Sequence, residues 1–168
     1  MSSHTEILAK CLSLSEAKDL TDLWRQQGKT IVFTNGCFDL LHKGHIDYLG
    51  KARDLGDVLL VGLNSDRSVT KLKGSNRPLQ DESSRLALMA SLQFVDLVVV
   101  FDEDTPIELI EATNPDILVK GGDYTVETVV GAELVKSKGG RVEIIPFLDG
   151  YSTSAIEAKI IQDSESQG

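Results

Sequence analysis

Two rhythms of hydrophobic and polar positions alternate along the chain. Five short segments are almost continuously apolar and rich in β-branched residues: Thr30 to Thr34, Val58 to Leu63, Leu97 to Phe101, Ile117 to Val119 and Val142 to Ile145. Such runs predict strands buried on both faces, as in a parallel sheet. Helical spacing fills the gaps. Ile46, Leu49, Ala52 and Leu55 recur every third residue up to Gly56, and Leu86, Met89, Ala90 and Gln93 mark another helix capped by Asp81 or Ser83. Thr105, Pro106 and Glu108 read as a capping box with proline at the first helical position. Glu127 to Lys138 is a further expected helix, stopped by Gly139 and Gly140, and Ser152 to Ile161 a last one. Ahead of the first strand, Ser15 is the expected N-cap of a helix with Leu20, Leu23 and Trp24 as its apolar stripe and Gly28 as its stop. The alternation predicts a doubly wound, Rossmann-like five-stranded parallel sheet flanked by helices, with right-handed crossovers. The expected organisation is an N-terminal helical extension over 1–29, one domain over 30–161 and a polar, frayed tail over 162–168, with no repeat or linker.

Composition narrows the partners. The length, 168 residues, suits one domain with a real core, and 41% apolar against 26% charged residues is the balance of a soluble globular protein. No apolar run approaches the roughly 20 residues that span a bilayer, and no basic-then-apolar export signal opens the chain, so no membrane partner is expected. Two cysteines, Cys11 and Cys37, stand in no metal-binding spacing and point to a reducing cytoplasm. The net charge of −9 argues against general nucleic-acid binding. Any anionic ligand must therefore meet a local cluster of positive charge.

In open α/β sheets ligands bind beyond the carboxyl ends of the strands, at a switch in strand order. The segment Thr34-Asn35-Gly36-Cys37-Phe38-Asp39-Leu40-Leu41-His42-Lys43-Gly44-His45 leaves the first strand there and runs into the Ile46 helix. A glycine between two histidines at a helix start lets a phosphate approach free backbone N–H groups, the helix dipole and two imidazole donors. Buried structural histidines explain one position but not easily both beside Lys43 and Gly44. A zinc site lacks partners other than His4, since such sites use three or four protein ligands. Neither G-x-G-x-x-G nor G-x-x-x-x-G-K-[ST] is present. The segment reads as a phosphate site.

The stretch GCFDLLHKGH resembles the H-x-G-H signature of the cytidylyltransferase-like nucleotidyltransferase superfamily, in the expected strand-turn-helix context. The likeness extends from Thr30 to about Ile161. NSDRSVTKLKGSNRP, DILVKGGDY and DGYSTSAI make it most similar to the adenylyltransferase domain of bifunctional heptose-phosphate kinase/adenylyltransferases. No kinase domain is present in the sequence. The resemblance therefore implies a stand-alone D-glycero-D-manno-heptose 1-phosphate adenylyltransferase. It would move AMP from ATP to the sugar phosphate, releasing pyrophosphate and giving ADP-heptose for lipopolysaccharide cores. Asn35, Gly36, Cys37, Phe38 and Gly44 would then cradle nucleotide and phosphates, and His42 and His45 would donate to the phosphates around the breaking bond. Binding between anionic oxygens is expected to favour charged imidazoles.

Arg67, Lys71, Lys73 and Arg77 follow the second strand with no acidic residue between them. Alone they could be a solvated loop; by resemblance Lys71 and Lys73 match lysines that reach the triphosphate or the acceptor phosphate. Arg85 could be a surface residue, and the resemblance makes it a phosphate ligand. Lys120-Gly121-Gly122-Asp123-Tyr124 could be a plain turn, yet paired glycines let a ligand lie against the main chain. Ser152, Thr153 and Ser154 can cap the last helix and hold outer phosphates at once. Asp39 and Asp123 stay open as metal or ribose partners, and no residue is assigned as a firm metal ligand; Mg²⁺ is expected with ATP. Cytidylyltransferases of this superfamily carry R-T-E-G-I-S-T before the last helix, where this chain has Phe147-Leu148-Asp149-Gly150-Tyr151-Ser152-Thr153. The missing arginine favours ATP over a glycerol-phosphate cytidylyltransferase reading. A non-catalytic nucleotide-binding protein is the remaining rival. By resemblance, a homodimer is expected.

Overall fold

The computed structural model describes residues 2–122 and 124–165. Five strands, β1 (Ile31–Gly36), β2 (Val58–Asn64), β3 (Leu97–Phe101), β4 (Ile117–Gly121) and β5 (Arg141–Ile145), form one sheet in the order β3-β2-β1-β4-β5. Every pairing is parallel, with Phe33 aligned to Leu60 on one side and Leu118 on the other. All seven β2 residues are buried, as expected of an interior strand covered on both faces.

Side chains alternate across the strands and build two cores. Ile31, Phe33, Leu60, Val99 and Leu118 face Ala17 and Trp24 of α2 (Leu14–Gln26), Leu109 and Ile110 of α6 (Ile107–Thr113), and Val135 of α7 (Ala132–Ser137). Val32, Leu59, Val61, Val98 and Val119 face Tyr48, Leu49 and Ala52 of α3 (Lys43–Arg53) and Met89 and Ala90 of α5 (Glu82–Ser91). The sheet is thus doubly wound. Strands are added outward from β1 on one side and from β4 on the other, which sets the switch point between those two strands.

Residues 1–29 contribute more than an appended helix. A short α1 (Ser3–Leu8) precedes α2, and Lys10 and Leu12 exchange backbone hydrogen bonds with Val98, covering the outer edge of β3. Ser13, not Ser15, caps α2, with Glu16 completing a capping box.

Four other expectations shift. The basic run after β2 forms a helix, α4 (Asp66–Lys73), because Ser65 accepts a hydrogen bond from the Ser68 N–H and caps it. Pro106 is itself the N-cap of α6, with no side-chain cap bond. The helix expected over Glu127–Lys138 splits into a 3-10 turn (Val126–Thr128) and α7, separated by Gly131 at φ +91°. A Cβ at Gly131 would lie 2.6 Å from Ile110, so the break also admits close packing. The last helix, α8 (Thr153–Glu165), runs beyond Ile161 into the segment read as a frayed tail. No helix among the described residues is long and apolar enough to cross a membrane.

Candidate active site

A cleft of about 480 Å³ opens over the carboxyl ends of β1, β2, β3 and β4. Its floor is the β1–α3 turn. Asn35 and Gly36 end the strand, Cys37 follows, and Phe38 takes φ +46°, a strained value for a bulky residue. What over-determines that turn is Asp39. Only 2% exposed, it accepts hydrogen bonds from the Leu79 and Gln80 N–H groups at 2.8 and 3.0 Å and pairs with Arg77 at 3.1 Å. Burial pushes its carboxyl upward, but those N–H donors and the Arg77 guanidinium hold it below the usual range. Asp39 is therefore a clamp and not an open metal or ribose partner.

The turn delivers two imidazoles. His42 stands at the N-cap of α3 without a side-chain cap bond, and its ring stacks on His45 with centroids 3.8 Å apart. Phe38 meets His45 edge to face at 5.3 Å. Gly44 is needed between them: a Cβ there would lie 3.0 Å from the His42 ring and 3.2 Å from the Cβ of Tyr151. Both Nδ1 atoms are sealed and have no hydrogen-bond partner. Burial chiefly, with the positive fields of His42 and Lys73 adding, drives the His45 pKa from 6.5 down to about 4; burial also lowers that of His42. Without an anion, both rings are therefore neutral at pH 7, unlike the charged forms expected among phosphates.

Across the switch point, Lys120 Nζ donates to Asn35 Oδ1 at 2.7 Å, tying β4 to β1. Burial lowers the pKa of Lys120. Tyr48, one helical turn beyond His45, lines the same floor. Its hydroxyl donates to the Val119 carbonyl at 3.3 Å and lies 2.7 Å from Thr34 Oγ1, which leaves Thr34 as the donor in that pair. Gly121 also lines the cleft, and the Phe147 ring covers it and Gly122. Gly122 has φ +92°, and a Cβ there would meet that ring at 2.6 Å.

The structure sorts the expected site residues. Asn35, Gly36, Cys37, Phe38, His45, Lys73, Lys120, Gly121 and Thr153 line the cleft; His42, Gly44 and Gly122 support it from behind. Ser152 accepts the Ala155 N–H as a helix cap, and Ser154 is exposed beside it; neither lines the cleft. Asp123 lies outside the described residues.

Arg85 departs most from expectation. It is 0% exposed, with donors at 2.7–3.1 Å from the carbonyls of Cys37, Asn64 and Gln80 and from Asp66. Its guanidinium serves as a buried bracket, not a phosphate ligand. Three other cations are also engaged: Arg67 with Asp102, Lys71 with Asp104, and Arg77 with both Asp39 and Glu157. Within that basic run only Lys73 lines the cleft.

Sequence reasoning missed Tyr48, Asn64, Phe101, Asp104, Thr105 and Pro106. Tyr48 lies three positions after His45, a spacing that puts both on one helix face. The others sit at the ends of β2 and β3, where the same rule that found the first loop applies. No group of three or more His, Cys, Asp or Glu side chains among the described residues is placed to hold a metal ion.

Residues 33–159 match the family described as cytidylyltransferase-like. The bifunctional protein HldE of Syntrophotalea carbinolica is 60% identical over 148 residues, covering 88% of this chain and 30% of that protein. The HldE of Citrifermentans bemidjiense is 62% identical over 135 residues, 80% of this chain and 28% of its own length. The chain thus spans about a third of these relatives. Among solved structures, a Thermoplasma volcanium protein described as a lipopolysaccharide core biosynthesis protein superposes with a TM-score of 0.59. It is 34% identical, and the match covers 74% of this chain and all of that one. Pantoate-beta-alanine ligase from Francisella tularensis shares the fold, with a TM-score of 0.58 at 16% identity, over 88% of this chain and 75% of its own.

Proposed function

Since the chain belongs to the cytidylyltransferase-like family, we propose that it transfers AMP from ATP to a sugar 1-phosphate, with D-glycero-D-manno-heptose 1-phosphate as the acceptor. One observation carries the reading. His45, at the start of α3, lines a cleft that also presents Lys73 and Lys120. Two ammonium groups and an imidazole that converge on one helix N-terminus form a site for an anion. A triphosphate supplies that anion.

In the reaction, an oxygen of the sugar phosphate attacks the α-phosphorus of ATP. That P–O bond forms as the bond to pyrophosphate breaks, and pyrophosphate departs. The protein's task is positioning and charge neutralisation. Phosphate oxygens beside His45 restore its proton, since an adjacent anion favours the charged ring. His45 then donates to the transferring group, while Lys73 and the N-terminal amides of α3 hold charge around it. ATP enters as its Mg²⁺ complex. Asp39 is committed to its clamp, so the ion would rest chiefly on phosphate oxygens and water.

The heptose is supported by the similarity of KGGDY and DGYSTSAI to the heptose adenylyltransferase domain and by the high identity to HldE proteins. The adenine donor is supported by Phe147, which replaces the cytidylyltransferase arginine and lays an aromatic ring along the Gly121–Gly122 backbone. A panel of sugar 1-phosphates and glycerol 3-phosphate with ATP and CTP, read by pyrophosphate release, tests both parts. The expected outcome is heptose 1-phosphate with ATP well ahead of every other pair. Comparable or better kcat/KM with CTP, or release only with glycerol 3-phosphate, overturns it; ATP binding without release would mark a non-catalytic binder.

A further inference from the structure

The cleft has two unlike wings on either side of His45. The wing over β4 and β5 is lined by Gly121, Tyr124, Thr128, Val130, Phe147 and Thr153, with Lys120, bonded to Asn35, as the charged side chain at its inner edge. Phe147 and Tyr124 are 59% and 53% exposed, so a flat apolar face is available for a base to stack on. The wing over β2 and β3 carries Lys73, Phe101, Asp104 and Thr105. Among the described residues, two acidic side chains line the cleft, Asp39 and Asp104. Asp39 is saturated by its clamp, whereas the Asp104 side chain remains 71% exposed while paired to Lys71.

Resting on the function proposed above, we infer that Asp104, held in place by Lys71, reads the ring hydroxyls of the acceptor sugar, with the sugar's phosphate on Lys73. A carboxylate at this wing disfavours bare phosphate oxygens and accepts hydrogen bonds from neutral hydroxyls. Lys71 does not itself line the cleft; its ammonium holds the Asp104 carboxylate in position. The pair is fixed from both sides. Lys71 rides on α4, and Asp104 sits in the β3–α6 loop; Asp102 of that loop also takes Arg67 and the Ser65 hydroxyl. Lys73 follows Lys71 by two residues, an axial step of about 3 Å. Its positive field reaches His45 and Cys37. Lys73, His45, Asp104 and Thr105 line one cleft, so a phosphate on Lys73 shares its space with the transfer centre and with the Asp104 carboxylate.

Asp104→Ala tests this on the intact chain, since an exposed loop side chain supports little of the core. Pyrophosphate release gives KM and kcat for the heptose 1-phosphate, calorimetry gives the Kd of MgATP, and saturation-transfer NMR gives binding of the sugar phosphate without turnover. The expected result is an acceptor KM raised at least about tenfold with a parallel loss of its NMR signal, a kcat lowered less than about threefold, and a MgATP Kd within about twofold. Lys71→Met should behave alike, and the double variant should lose little more than the worse single one, as for groups acting as a unit. An unchanged acceptor KM in an enzyme that turns over sugar 1-phosphates overturns this inference alone, as does a MgATP Kd that weakens in step. A wild-type protein that neither binds nor turns over any sugar 1-phosphate overturns the functional reading and this inference together.

Discussion

At the scale of single residues, His45 shows how a site can be built around a proton it does not yet hold. Burial and two neighbouring positive fields keep the ring's pKa at about 4, and its Nδ1 has no partner. Its pKa in the unfolded chain is near 6.5, so between these values the unfolded state binds more protons. His45 thus contributes nothing unfavourable above pH 6.5 and costs stability progressively as pH falls toward 4. Urea midpoints at pH 7.5, 5.5 and 4.5 should decline over that window and decline less in His45→Ala; identical pH profiles would refute this. The same variant tests the chemistry. Loss of one preorganised donor should lower kcat by about 10²–10³, while the MgATP Kd changes much less, because Lys73 and the α3 amides remain. A folded His45→Ala protein with near-native turnover removes this residue from the mechanism. HKGH was legible in the sequence because two histidines, a glycine and a helix start are local facts. The ring's neutral resting state was not, since it depends on Phe38, His42 and Lys73 closing around it.

Elements are held to one another by the charged residues that sequence reasoning assigned to phosphate. Arg85 on α5 brackets Cys37 after β1, Asn64 at the end of β2, Gln80 before α5 and Asp66 at the start of α4. It sets the phosphate turn against the helix that carries Lys73. Arg85→Met would leave three carbonyls without their buried donor, so a loss of about 2–4 kcal/mol is expected, the scale for unmade buried hydrogen bonds. Chemical denaturation measures it; a loss below about 1 kcal/mol would return Arg85 to the surface. Arg77 similarly joins Asp39 to Glu157 and so ties α8 to the floor of the cleft. A row of basic residues looks the same in sequence whether it awaits phosphate or pairs with aspartates dozens of positions away. Arg67, Lys71 and Arg77 all proved to be of the second kind.

For the whole molecule, a homodimer is the expected assembly, by likeness to proteins of this superfamily. Light scattering at micromolar concentration should return twice the 18.3 kDa chain mass, and a single chain mass would refute it. The strand and helix succession, the doubly wound sheet and the phosphate turn at its switch point were all readable from the chain. Each follows from short-range physics: period-two or period-three burial, helix starts, glycine stops, and the rule that ligands meet parallel sheets at their carboxyl ends. Two breaks in that reading, the α4 helix inside a basic run and the Gly131 interruption before α7, arose where a cap or a close contact overrode composition. Only the tertiary structure decided which cations face the cleft and which are spent on aspartates, and it alone turned Arg85 inward and brought Asp104 beside Lys71. Those outcomes depend on pairings between residues up to 85 positions apart. A charge's partner is set by where the fold brings the chain, and no local pattern records that.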